Sequence, residues 1–263
     1  MSFQPAIPVS GIAGLNFIER TRASQQEVFN NSPIMNREIE HFRENVSKAT
    51  TAEELVKDQV TFKVALGAFG LEEEIGKKFF LQKILEEGTE DQDALANRLV
   101  DPRYKAFSEA FGYGNVFGPS VGQSDFASRM IQEYQTRQFE VAVGATNEAI
   151  RLALNFKREV GVYFQNGKSE DAGWFEAMGN QPVRAVLEKG LGLPTAVGSL
   201  DIDRQLELFK EKTSAFFGDS SLDAFSDPEN VEHLLRVFLA RDQIDNGPTS
   251  STPGMAALTL LNN

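Results

Sequence analysis

Chemistry in a protein without cysteine falls to its histidines, carboxylates and phosphate-cradling loops, and each has a candidate in this chain. The histidines are His41 and His233. Neither belongs to an HExxH or His-x-His pattern, so neither has the spacing of a metal ligand or a helix-borne base. His41 adjoins Phe42 and His233 adjoins Leu234, both inward-facing in a helical pattern, which places the two imidazoles at helix surfaces. Gly112-Tyr113-Gly114-Asn115-Val116-Phe117-Gly118 imitates a phosphate loop. It misses the GxGxxG spacing, follows a helix rather than a strand and lacks the Gly-Lys-Ser/Thr of a P-loop, so it reads as a connection between helices. Asp219, Asp223 and Asp227 recur every four residues, whereas a calcium loop needs alternate positions, a central glycine and a closing glutamate. They read as turns and N-caps. Glu72-Glu73-Glu74 and Glu86-Glu87 offer paired carboxylates, yet charge runs at helix ends are ordinarily solvated. Asn45-Val46-Ser47 matches a glycosylation sequon but falls within or at the end of a helix. No nucleophile, base and orienting group can be assembled from these parts. The sequence therefore names no catalytic residue, no cofactor-binding residue and no metal ligand.

The elements that would position any site are clearer. Ser124 to Gln165 runs 42 residues without proline. Phe126, Met130, Tyr134, Val141, Ala145, Ala149, Leu152, Phe156, Val160 and Tyr163 fall at the three-, four- and seven-residue steps of one helix face. As a single helix it would extend about 63 Å. The stretch predicts a central helix over 124–165, or a helix pair broken at Gly144. Its apolar band from Phe139 to Phe156 is expected to be the most buried part, contacted from both sides and nearly free of solvent.

Helices flank it. The first is expected over Ile12–Asn30 with Leu15, Ile18, Val28 and Phe29 inward. Ser32-Pro33 caps the next. Thr51 to Glu54 forms a capping box, with a break near Asp58, and Gly70-Leu71 closes that helical stretch. Further helices start at Phe79, Asp93, Asp101-Pro102, Ser169, Pro182, Asp201 and Asp227-Pro228. No strand pairs are evident, so the fold class is all-α and multi-helical. Gly-Leu ends recur at Gly70-Leu71 and Gly192-Leu193, each followed by a Phe- and Leu-rich helix and an Asp-Pro cap. That order is what a duplicated unit gives, although helix caps alone also supply several such ends. The expected organisation is a flexible segment over 1–11, an all-α body over 12–244 with similar units at 51–122 and 174–244, and a linker with an apolar terminal segment over 245–263.

The chain has 263 residues, a formal net charge of −12, 41% hydrophobic and 24% charged residues. Those proportions are those of a soluble globular protein. Phe is favoured, at 21 copies against four Tyr and one Trp, and a Phe ring needs no buried polar partner. With no basic run, nucleic acid and anionic membranes are disfavoured as partners. No apolar run approaches the ~20 residues of a membrane span, and no charged leader precedes an apolar segment. The expected location is cytoplasmic, or exported without a cleaved signal peptide.

Three runs carry a family likeness: Val64 to Leu71 (VALGAFGL), Lys83 to Thr89 (KILEEGT) and Leu95 to Tyr104 (LANRLVDPRY). Gly192-Leu193-Pro194, Leu200 to Gln205 and Phe225 to Pro228 add to it in the second half. Over most of residues 40 to 245 the chain resembles domain-of-unknown-function family twelve-seventeen, found mainly in alphaproteobacteria. The resemblance implies no chemistry and supplies no functional residues. It implies association with the flagellum, because genes of this family often stand among flagellar genes. The expected function is therefore that of a non-enzymatic flagellum-associated protein, an assembly factor or structural component contacting a flagellar or export-apparatus protein. The alternative is a cytoplasmic enzyme or small-molecule binder with a carboxylate-lined site between the helical units.

Overall fold

In a computed structural model, which describes residues 3–164 and 169–246, all regular structure is helical. The helices are α1 (Gly11–Asn30), α2 (Pro33–Asn45), α3 (Ala52–Lys57), α4 (Gln59–Gly67), α5 (Lys78–Glu87), α6 (Leu95–Arg98) and α7 (Pro102–Phe111) in the first half. The second half holds α8 (Phe126–Gly144), α9 (Glu148–Glu159), α10 (Glu170–Gly179), α11 (Gln181–Leu191), α12 (Ile202–Phe217) and α13 (Pro228–Asn246). Short 3₁₀ turns join several of them.

Local chemistry fixes the ends. Ser32 accepts from Met35 N with Pro33 at the first helical position. Thr51 and Glu54 form a reciprocal capping box. Asp58 ends α3 and caps α4 through Val60 N and Thr61 N. Asp101, Ser169 and Asp201 cap α7, α10 and α12. Gly70 has φ 69° and Leu71 N returns to Leu66 O at 3.0 Å; Gly192 has φ 73° and Leu193 N returns to Glu188 O at 2.8 Å. Both are Schellman ends, and Leu71 and Leu193 fold back into the interior.

The halves repeat element for element. Each opens with a long helix (α1, α8), then a shorter one (α2, α9) and a three-residue 3₁₀ turn at 46–48 or 160–162. A Thr- or Ser-capped helix follows, and one residue, Asp58 or Asn180, ends it and begins the next at nearly equal dihedrals. The Gly-Leu end, a 3₁₀ turn, a helix closed at Gly88 or Gly218 with positive φ, a short helical piece and an Asp-Pro-started helix complete each half. The repeated order thus starts earlier than the unit boundaries read from the sequence.

Two hydrophobic cores result. One is built by α2 to α7 and the first half of α8, with Phe42, Phe62, Phe107, Phe111, Phe126 and Tyr134. The other is built by α9 to α13, the end of α8 and Leu15 and Ile18 of α1, around Trp174, Phe156, Phe209 and Phe238. Each half's opening helix therefore packs on the other half's core, and α8 contributes fully buried side chains to both.

Of the two arrangements expected for the central stretch, the structure has the helix pair: α8 ends at Gly144, where the break was expected, and Asn147 caps α9 through Ile150 N at 3.0 Å. Ion pairs of Glu140 with Arg158 and of Arg137 with Glu159 join α9 back to α8 beyond the turn. The band Phe139–Phe156 is not buried from both sides: Val141 is 48% exposed, and the buried members belong to the second core. Folding back leaves one face of the hairpin to solvent. Val28 of α1 points outward, at 54% exposure. Residues 3–10 lie against α1, where Gln25 accepts from Ala6 N at 2.7 Å and donates to Ala6 O at 3.2 Å. Asp245 and Asn246 belong to α13; the rest of the expected linker and apolar terminal segment lies outside the described residues.

Candidate functional site

The flagged groups are spent on structure. His41 Nε2 lies 2.9 and 2.7 Å from the two carboxylate oxygens of Asp58, so its partner is the cap residue of α4. Asp58 also accepts from Thr61 Oγ1 at 2.9 Å. Burial raises the pKa of this carboxyl, but the Thr61 and His41 bonds outweigh it and hold the pKa below the ordinary value. His233 packs against the rings of Phe216 and Phe217. Asp219 and Asp227 accept from Ser221 N and Glu229 N, as turn and N-cap residues do, and Asp223 is exposed. Asn45 donates to His41 O and accepts from Lys48, closing α2. Among the described residues no three His, Asp or Glu converge as a metal site.

The acidic pairs separate. Glu74 pairs with Lys77 at 2.7 Å and Glu73 is exposed, while Glu72 accepts from Gln138 of α8. Glu87 accepts from Leu95 N at 2.6 Å and pairs with Lys83; Glu86 faces solvent.

A charge cluster at the junction of the two cores involves residues that no motif marked. At the meeting of α8 and α9, Glu140 is 3% exposed and accepts from Arg158 Nε and Nη2 at 3.0 and 2.8 Å. Arg22 of α1 stands 3.8 Å from the same carboxylate. Glu159 pairs with Arg158 and, at 2.8 Å, with Arg137. Arg137 Nε reaches Ala68 O at the end of α4 at 2.7 Å. The cluster thus ties α1, α4, α8 and α9 where the two cores meet. Burial alone would raise the Glu159 pKa; Arg137 and Arg158 overcome it and bring the carboxyl below its usual range. Glu72, near Arg137, Arg103 and Lys63, keeps a raised pKa because its desolvation is the larger effect. Polar and charged groups spaced 18 to 22 residues apart carry no local signal, which is why the sequence did not mark them.

This cluster sits where a carboxylate-lined site between the units would be, yet its carboxylates are neutralised by guanidinium groups. A shallow, open depression of about 520 Å³ lies elsewhere, on the C-terminal part of α1 against Ala23, Gln26, Glu27, Asn30 and Asn31. A second, of about 20 Å³, lies between α1, α9 and α13 and is smaller than a ligand.

The runs that carry the family likeness also prove structural. Arg103 holds Asp101 through two oxygens and donates from Nη1 to Gly70 O, fastening the Asp-Pro cap to the Gly-Leu end. Tyr104 packs edge-on to Phe80, and burial, then its bond to Glu74, pushes its hydroxyl to about 12. In the second half Arg241, from the C-terminal part of α13, donates to Lys189 O and Gly190 O at 2.7 and 2.9 Å beside the other Gly-Leu end.

Comparison with known proteins bears on these runs. The family model described as protein of unknown function (DUF1217) matches residues 68–231. The chain belongs to the DUF1217 family. Its matched region opens at the end of α4, takes in the charge cluster and closes in α13. The fold is similar to the crystal structure of protein AGR_C_984 from Agrobacterium tumefaciens, with a TM-score of 0.74 and 24% identity over 92% of this chain and 99% of that one. No curated protein matches the sequence. Among the described residues no helix is long and apolar enough to cross a membrane.

Proposed function

We propose that this DUF1217 protein is a non-enzymatic, flagellum-associated protein that works through protein–protein contacts, as an assembly factor or structural component. The flagellar part rests on the gene association that the family resemblance implies. The contact part rests on one observation: the carboxylates that converge between the two cores, Glu140 and Glu159, are held by Arg158 and Arg137 rather than left open to a ligand. An enzyme or binder using that junction would have to break buried ion pairs before meeting its substrate, at a cost of about 3–5 kcal/mol. In this reading the partner is a flagellar or export-apparatus protein, and the chain acts in the cytoplasm or is exported to the flagellum without a cleaved signal.

The test is fractionation of tagged full-length protein from flagellated cells and from cells unable to assemble the export apparatus. Co-fractionation with flagellar or export-apparatus proteins in the first and its loss in the second is expected. An identical, freely dispersed distribution in both would contradict the proposal.

A further inference from the structure

The loop after α7 carries an apolar feature that the fold leaves uncovered. Val116 and Phe117 are 83% and 99% exposed, so burial does not explain their place in the chain. The loop that bears them is nevertheless pinned. Tyr113 Oη donates to Ala49 O at 2.6 Å. Asn115 Oδ1 accepts from Thr89 N at 2.9 Å, and Val116 N donates to Glu90 Oε1 at 3.0 Å. Gly114 presses on the backbone of Glu86, Glu87 and Gly88 so closely that a Cβ would lie 2.4 Å from Glu86 O. A Phe ring held this way is presented without the entropy cost of ordering its backbone on binding.

The neighbouring loop supplies a field. Residues 86–93 hold Glu86, Glu87, Glu90, Asp91 and Asp93 and no cation. Glu86, Glu90, Asp91 and Asp93 are exposed and in no ion pair among the described residues. The two loops are one unit, since the bonds from Thr89 and to Glu90 join them.

We propose that Val116 and Phe117, rimmed by the acidic loop 86–93, form a docking prong for a protein whose apolar pocket is edged by Lys and Arg. Three arguments select that occupant. The acidic rim favours a basic partner and opposes an anionic membrane. A second copy of this chain carries net charge −12 and meets the rim with like charge. The prong offers on the order of 300 Å², well short of the ~800 Å² per partner of a stable dimer face, but sufficient for an aromatic anchor seated in a preformed pocket. The proposal rests on the contact-protein reading above and names the partner chemistry of one surface.

The test places photoreactive p-benzoylphenylalanine at position 117 of the full chain in its own host, with the same label at Phe79, another exposed ring at 90%, as control. The expected result is one protein adduct whose sequenced segment is apolar and carries net Lys and Arg charge. Its yield should fall at least about tenfold in the combined variant Glu90→Gln, Asp91→Asn, Asp93→Asn, which keeps the loop's oxygen acceptors and removes its charge. Adducts to lipid, to a second copy, or to a neutral or acidic segment would overturn the proposal. So would an adduct indifferent to the charge change, or one no stronger than that from Phe79. If the label fails while a deletion strain loses motility, the prong falls and the contact-protein reading stands; a fully motile deletion strain removes that reading itself.

Discussion

Glu140 and Glu159 show how this chain uses buried charge. Each carboxylate faces a guanidinium, and the set joins four helices. Removing one partner leaves the other buried and unpaired, so Glu140→Ala should cost about 3 kcal/mol in urea unfolding, and Arg158→Ala a similar amount. The double variant should cost clearly less than the sum; additive losses would show that the pair is not coupled. The sign of the pH dependence follows from Glu159, whose native pKa lies below its unfolded value. Its contribution is fully present above the unfolded carboxylate value near ~4.3 and drains as pH falls through the depressed native value. Glu159→Gln should therefore flatten the acid side of the stability profile. Glu72 has the opposite sign, its native pKa being raised by burial, so acidification relieves a penalty and Glu72→Gln should lose no stability at neutral pH. Little of this was legible in the sequence. Asp101 and Asp201 announced themselves as caps, and Asp58 as a break, because a cap and the N–H it binds are two or three residues apart. The partner of Glu140 is 18 residues away and depends on where the chain turns.

At the scale of elements, the Gly-Leu ends were readable outright and the central turn only as one of two arrangements. Gly70 and Gly192 take positive φ where a residue with a Cβ is strained, and the following Leu returns to the core. Gly192→Ala should cost about 2 kcal/mol, because its Cβ would fall 2.6 Å from Arg241 Nη1 and displace the guanidinium from Lys189 O and Gly190 O. Gly218→Ala, at φ 79° with open space around it, should cost about 1 kcal/mol from the backbone alone. Equal losses in thermal unfolding would mean that the Arg241 fastening contributes nothing. Periodicity left the break between α8 and α9 undecided. Ala145 and Ala149 continue the apolar steps across the turn, so the pattern fitted one rod as well as a pair. Gly144 and the Asn147 cap were the local signs, and what decides the matter is tertiary: α9 gains the second core only by turning back along α8.

Over the whole molecule, the exchange of opening helices governs cooperativity. Because α1 packs in the second core and α8 in both, neither half keeps its core intact without the other. Trp174, the sole tryptophan, reports the second core, whereas far-UV dichroism reports all helices. The two probes should give coincident urea midpoints; an earlier or later Trp174 transition would show two independent domains. The all-α class and the order of repeated units could be read from caps and glycines, while the exchange could not, since sequence periodicity does not say which core a helix face meets. The function proposed for this molecule belongs to the same scale and is tested most directly by deleting its gene. The account predicts loss of swimming and of normally assembled flagella, restored by the full-length protein; a deletion strain that swims and builds flagella normally would contradict it.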